Sequence, residues 1–273
     1  MKTLFHYTSA AGLLGIVRGS TLWATDLRFL NDAEEVIYAR GLFVDAIESM
    51  TNPALDPEHP VHQSHQSFGE VFDEYKQLVI GELGSDRFGV YVACFCESGD
   101  LLSQWRAYGS DHGYAIEIES DALPDAAERL PMLGAAADLV QVRYGESAAA
   151  DVVEGALRKV WEDTNLGRYG VHAHFMALQL TAMLATIKHP GFREEREWRL
   201  VAALEGEEER VQFRSTPMAI VPYVEVPLPP HAIRSVRVGP GRHVDVRADG
   251  VRRLLAAVRS DAEVLVSTVP LRN

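Results

Sequence analysis

The chain has 273 residues, 47% of them hydrophobic, and a formal net charge of −13. That length and apolar content support a sizeable core and exclude wholesale disorder, while the acidity excludes a surface that coats nucleic acid by neutralising phosphates. No apolar run nears the roughly 20 residues of a membrane helix, and no charged segment leads into a long apolar one, so a cytoplasmic protein without a membrane partner is expected. Charge is uneven: residues 234–273 hold eight Arg against four Asp or Glu, a local balance of +4 that leaves −17 for the rest.

The elements alternate between helix and strand along the chain. Leu4 to Thr8 reads as an opening strand, and Ser9 as the N-cap of a helix through Leu13, Leu14 and Val17 that stops at Gly19. Thr21 to Thr25 is a second short strand, after which Asn31 or Asp32 caps a helix with Val36, Ile37, Phe43, Ile47 and Met50 near helical spacing. Residues 52–65 carry three prolines and three histidines without a period and read as a flexible exposed loop; His59, His62 and His65 are solvated there, and no metal is expected. A helix from Ser67 to Leu83 precedes a strongly β-like segment, Gly89 to Cys96. Its Cys94 and Cys96 have no second pair to complete a zinc site, and read as buried thiols of a reducing compartment.

Ser98 opens a helical turn with Leu101, Leu102, Trp105 and Tyr108, and Gly113 to Ile118 is a strand. Residues 121–187 read as a mainly helical insertion interrupted by a strand at Leu139 to Tyr144. Short strands follow near Gln212, Tyr223 and Ile233, then a helix from Val246 to Arg259 and a last strand, Val264 to Thr268. No repeat or linker divides the chain, so residues 1–273 are expected to form a single α+β domain. A P-loop, a dinucleotide fingerprint beyond Gly239-Pro-Gly241, a G-x-S-x-G elbow and an H-E-x-x-H zinc helix are all missing from the sequence, which removes support for the commonest nucleotide and hydrolase sites.

Three polar segments remain. Alternation places His6 and Thr8 on one face of the first strand, where an imidazole and a hydroxyl can hold a ribose diol. Trp23 sits in the second strand ahead of Asn31-Asp32. The third is the block from Phe192 to Val201. As a strand it would put Glu195, Glu197 and Arg199 on one face and Arg196, Trp198 and Leu200 on the other, with Trp198 in the core and Arg199 an ion-pair partner.

These motifs resemble the bacterial family known as domain of unknown function 2971. Its pattern is matched by His6-Tyr7-Thr8, Leu22-Trp23-Ala24-Thr25 with Asn31-Asp32 and Glu34, Cys94-Phe95-Cys96 with Trp105 and Tyr108, Glu195 to Arg199, and Ser267 with Pro270, which together span nearly the whole chain.

A first-strand His, an aromatic residue on the next strand and a late E-x-E are also similar, more distantly, to the ADP-ribosyltransferase fold: split mixed or antiparallel sheets with helical insertions, binding NAD without a glycine loop. That resemblance implies NAD as substrate. His6 and Thr8 would contact ribose and amide, and Trp23 or Tyr7 would stack, with Thr25, Asn31 and Arg199 completing the contacts. Glu197 would be the catalytic acid and Glu195 would position the acceptor. The activity implied is cleavage of the nicotinamide glycosidic bond with transfer of ADP-ribose to a protein or nucleic-acid acceptor, by a toxin or phage-defence effector with an antitoxin or immunity partner. The alternatives are a non-catalytic nucleotide or nucleic-acid binding module of the same fold, using Arg199 and the Arg-rich C-terminal region, and a 2′-phosphotransferase that moves phosphate from RNA ends to NAD.

Overall fold

The computed structural model describes residues 2–30, 33–49, 76–83, 88–108, 112–123, 138–162, 177, 179–205, 210–216, 219–229 and 231–270. The expected loop at 52–65, with its three histidines, and the expected NAD contact Asn31 lie outside the described residues. In chain order the strands are β1 (Thr3–Thr8), β2 (Thr21–Asp26), β3 (Phe88–Cys96), β4 (Tyr114–Glu119), β5 (Asp138–Gln141), β6 (Arg143–Tyr144), β7 (Ile187–Lys188), β8 (Glu197–Glu205), β9 (Gln212–Ser215), β10 (Ile220–Pro227), β11 (Ile233–Val238) and β12 (Glu263–Val266). The helices are α1 (Ala10–Gly19), α2 (Ala33–Ser49), α3 (Leu102–Tyr108), α4 (Glu146–Glu162) and α5 (Val244–Ala257). Among the described residues no helix is long and apolar enough to cross a membrane.

Contacts divide the chain into two units, one of residues 1–31, 89–142 and 191–273, the other of residues 32–88 and 143–190. The first is built on a ten-stranded sheet of mixed direction, ordered β12-β11-β4-β1-β3-β2-β10-β9, with β8 pairing β3 and β5. β1 pairs β3 and β4, β2 pairs β3 and β10, β9 pairs β10, β4 pairs β11 and β5 pairs β8 antiparallel, whereas β11 and β12 are parallel. Leu4, Leu22, Ala24, Ile116, Ile118, Leu200, Val224 and Val226 meet Leu13, Ile16 and Val17 of α1 and Ala248, Val251 and Leu255 of α5 in one core. The α1 helix starts as its sequence dictates, the Ser9 hydroxyl accepting from the Gly12 amide, and it ends at left-handed Ser20.

β3 has three strand partners and only two edges, so two of them must divide an edge. β1 joins it through Phe5 opposite Cys96, whereas β2 joins it through Thr25 opposite Val92 and Asp26 opposite Tyr91. Position 94 lies between these two pairings.

In the second unit, the parallel pair β6–β7 accompanies α2 and α4, with Phe43, Ile47, Val79, Leu83, Ala149, Val153, Leu180 and Leu184 buried. A nearly buried ion pair at 2.9 Å joins Lys188 of β7 to Glu35 of α2.

Candidate functional site

His6 fills the space beside position 94. Its Nδ1 lies 2.9 Å from the carbonyl oxygen of Cys94, and since a carbonyl can only accept, Nδ1 carries the hydrogen. Burial pushes the imidazole down to about 4, against the upward pull of that hydrogen bond, and the charge of Arg214 adds to the depression. The ring is therefore neutral at physiological pH, with a lone pair on Nε2.

The source of that positive charge is a polar face built from β2, β10 and β9. In antiparallel pairs, residues opposite one another share a face and alternate along each strand. Thr25 is opposite Tyr223, Tyr223 opposite Gln212, Trp23 opposite Glu225, and Arg214 opposite Val221. Trp23, Thr25, Gln212, Arg214 and Tyr223 thus share one face. Nη2 of Arg214 donates to Thr25 Oγ1 at 2.6 Å, and the guanidinium stands 5.4 Å from the Trp23 ring centre and 5.7 Å from that of Tyr223. The two rings are 4.9 Å apart, and Tyr223 donates its hydroxyl hydrogen to Gln212 at 2.9 Å.

Burial holds the Arg214 guanidinium below its ordinary value, and among the described residues no carboxylate pairs with it. Its Nε is enclosed without a hydrogen-bond partner, as is Trp23 Nε1. Trp23 is also pressed against α1: a Cβ on Gly15 would stand 2.1 Å from the indole, so only glycine permits this approach.

The late acidic block is arranged differently from the expected strand. Glu195 belongs to a 3-10 turn, Pro190–Glu195, and Arg196 takes a left-handed φ of 43°, so alternation begins only at Glu197. The left-handed residue breaks the period of two, and Glu195 does not share a strand face with Glu197. Glu197 and Arg199 do share one. Arg199 Nε donates to Glu197 Oε1 at 2.7 Å and Nη2 to Oε2 at 3.1 Å, with the two residues only 3% and 2% exposed. Trp198 is half-buried rather than core: its Nε1 donates to Glu97 at 3.0 Å and Lys2 lies 4.5 Å above its ring. These donors hold the Glu97 carboxyl below the usual range.

Trp105, in the middle of α3, is fixed through Asp100. One oxygen of Asp100 accepts from Trp105 Nε1 at 2.9 Å and from the Ser267 hydroxyl, and the other from the Thr268 amide at 2.9 Å and hydroxyl at 3.2 Å. Burial opposes its ionisation, but these donors hold the Asp100 carboxyl below its ordinary value. The aromatic turn and the closing serine noted in the sequence are thus joined around one carboxylate, a structural role.

Residues 104–200 match the model of a family described as protein of unknown function (DUF2971). Neither the curated proteins nor the solved structures hold a match to the chain. The matched stretch contains Trp105, Tyr108 and Glu195 to Arg199, which accords with the family resemblance, but it is shorter than the motifs quoted for it. His6, Trp23, Thr25 and Arg214 lie outside it.

Of the remaining expected contacts, Tyr7 faces away from His6 on β1. It is buried edge-on to Trp105 with ring centres 4.7 Å apart, and its hydroxyl donates to Ser98 O and accepts from the Leu101 amide, each at 2.9 Å. Burial pushes this phenol up. Thr8 turns its hydroxyl toward α1, 2.1 Å from where a Cβ on Gly12 would sit. The structure therefore brings Trp23 and Thr25 together around a residue the sequence did not single out, and the charge of that residue acts on His6. The signal for Arg214 was faint: Gln212 and Arg214 alternate with exposed Phe213 on a short edge strand, a pattern that ordinary solvated strands share.

Proposed function

We propose that the protein binds NAD through the cluster of His6, Trp23 and Thr25. The observation that carries this is the convergence of Trp23 and Thr25 on the single guanidinium of Arg214, whose charge also acts on the imidazole of His6. His6 supplies an acceptor, Nε2, suited to a ribose hydroxyl, and the Thr25 hydroxyl retains its own hydrogen for a ligand oxygen while accepting from Arg214. Trp23 is engaged by Tyr223, by α1 and by Arg214, so its part is to floor the cluster rather than to offer an open stacking plate. Calorimetric titration with NAD tests the proposal. Saturable binding that weakens about tenfold in His6→Ala is expected, the effect of one lost polar contact. Absence of NAD binding overturns it.

ADP-ribosyl transfer is a second possibility, favoured by one observation: Glu197 opens β8, which pairs with β3, the strand whose Cys94 carbonyl holds His6. In that reaction the bond from nicotinamide nitrogen to the ribose breaks, the acceptor's nucleophile bonds to the same ribose carbon and loses its proton, and a carboxylate stabilises the positive charge developing in between. Glu197 could serve only by releasing an oxygen from Arg199. Nicotinamide release that survives Glu197→Gln unchanged removes the catalytic role and leaves binding untouched.

A further inference from the structure

We propose that Arg214 is a phosphoryl-binding residue, so that the ligand of this cluster is recognised by its phosphate; this rests on the nucleotide binding proposed above. A guanidinium withdrawn from water is ordinarily matched to a carboxylate, because burying an uncompensated charge is costly. Buried Arg199 follows that rule, gripping both oxygens of Glu197, and the more exposed Arg28 reaches both oxygens of Asp26, at 3.0 and 2.8 Å. Arg237 and Arg247, each with an enclosed Nε, are met instead by backbone carbonyl oxygens.

Arg214 departs from it. Thr25 is its one hydrogen-bond partner among the described residues, and two aromatic rings lie beneath it. Glu225, the acid on the same face, sits opposite Trp23 and forms no ion pair with Arg214. The unused donors are Arg214 Nε, both hydrogens on Nη1, the second hydrogen on Nη2, and the indole Nε1 of Trp23, with Nε and Nε1 enclosed. Enclosed donors without acceptors are unfavourable, so an anion bringing acceptors would be well received.

A carboxylate offers two oxygens, which the guanidinium fork alone would satisfy. A phosphoryl group offers three terminal oxygens in a tetrahedron, enough for the fork and for a further donor such as the Thr25 hydroxyl or Trp23 Nε1. The neutral His6 adds no competing positive charge, and its Nε2 is left to accept a hydroxyl. The aromatic floor holds the guanidinium without supplying a neutralising charge, so its positive charge remains available.

The test combines two measurements on the full chain. Calorimetry compares NAD with nicotinamide riboside, which keeps the nicotinamide and its ribose but lacks phosphate. Affinity for the riboside should be roughly ten- to hundredfold lower, the range of a charged hydrogen-bonded contact. Thermal unfolding at matched ionic strength then compares inorganic pyrophosphate with acetate in the wild type, Arg214→Lys and Arg214→Met. Pyrophosphate should raise the midpoint of the wild type, less so that of Arg214→Lys, which keeps the charge and loses the fork, and leave Arg214→Met unmoved. Acetate should have little effect on any of the three. Equal affinity for NAD and the riboside, or equal pyrophosphate stabilisation of wild type and Arg214→Met, overturns the phosphoryl site. If NAD fails to bind while pyrophosphate stabilises only proteins that retain Arg214, NAD binding is lost and the phosphoryl site stands. If Arg214→Met does not fold, the wild-type comparison of NAD with its riboside decides.

Discussion

Arg199 and Arg214 are drawn into the same ten-stranded sheet, and their charges are met in opposite ways. On β8 the residue two positions before Arg199 is Glu197. The period of two puts cation and carboxylate on one face, where they close on each other through two hydrogen bonds. On β9 the corresponding neighbour of Arg214 is Gln212, already accepting from Tyr223, and the residue opposite is Val221. Aromatic rings and a hydroxyl do for Arg214 what a carboxylate does for Arg199, but without cancelling its charge. The difference teaches where to look for function. A charge pair that closes within one strand serves the fold, whereas a desolvated cation left without an anion keeps the capacity to bind one.

The contrast can be broken most forcefully at Arg199. Arg199→Met leaves the Glu197 carboxylate buried without its cation, and denaturant unfolding should show a loss of about 3–5 kcal/mol. A loss below about 1 kcal/mol would mean that the pair is not what holds this part of β8. The next largest effect belongs to His6. Its imidazole titrates at about 4 in the folded protein against 6.5 ordinarily. Between those values the unfolded chain takes up a proton that the folded chain refuses, so stability rises with pH across that window. It is fully present above 6.5 and is lost as pH falls toward 4, by up to roughly 3 kcal/mol. In His6→Gln this limb should vanish, and parallel urea midpoints for the two proteins over the window would show that the ring is not held neutral. The smallest effect is expected at Arg214. Arg214→Met removes a desolvated cation along with the Thr25 hydrogen bond and the ring contacts, and these terms oppose one another, so unfolding free energy should change by no more than about 1 kcal/mol in either direction. A loss as large as that of Arg199→Met would make the two arginines equivalent and remove the reason for assigning Arg214 to a ligand.

Much of the secondary structure was legible because it is locally encoded. Ser9 caps α1 and the turn through Gly19 and Ser20 ends it; Thr21 to Asp26, Phe88 to Cys96 and Tyr114 to Glu119 carry β-branched or aromatic residues where strands were expected; and α5 falls within two residues of its expected bounds. The most misleading segment of the candidate site was Glu195 to Glu197. A strand was expected there from its alternation, but a 3-10 turn and a left-handed Arg196 precede β8, a backbone choice that Arg does not signal. His6, Trp23 and Thr25 could be picked out from their order and chemistry, whereas Arg214, nearly 190 positions beyond Thr25, could not.

The sequence by itself therefore determined the alternating elements, the pairing capacity of Glu197 with Arg199 two residues on, and the polar character of the first two strands, all consequences of neighbours within a few positions. Only the tertiary structure decided that β1 and β2 meet β3 at different heights, that His6 fills the interval with its proton on the Cys94 carbonyl, and that β10 and β9 bring Arg214 over Trp23 and Tyr223. Strand order and register are set by the summed burial of a whole sheet and by pairings remote in sequence. The charge left without a carboxylate is visible only once those pairings have brought its neighbours together.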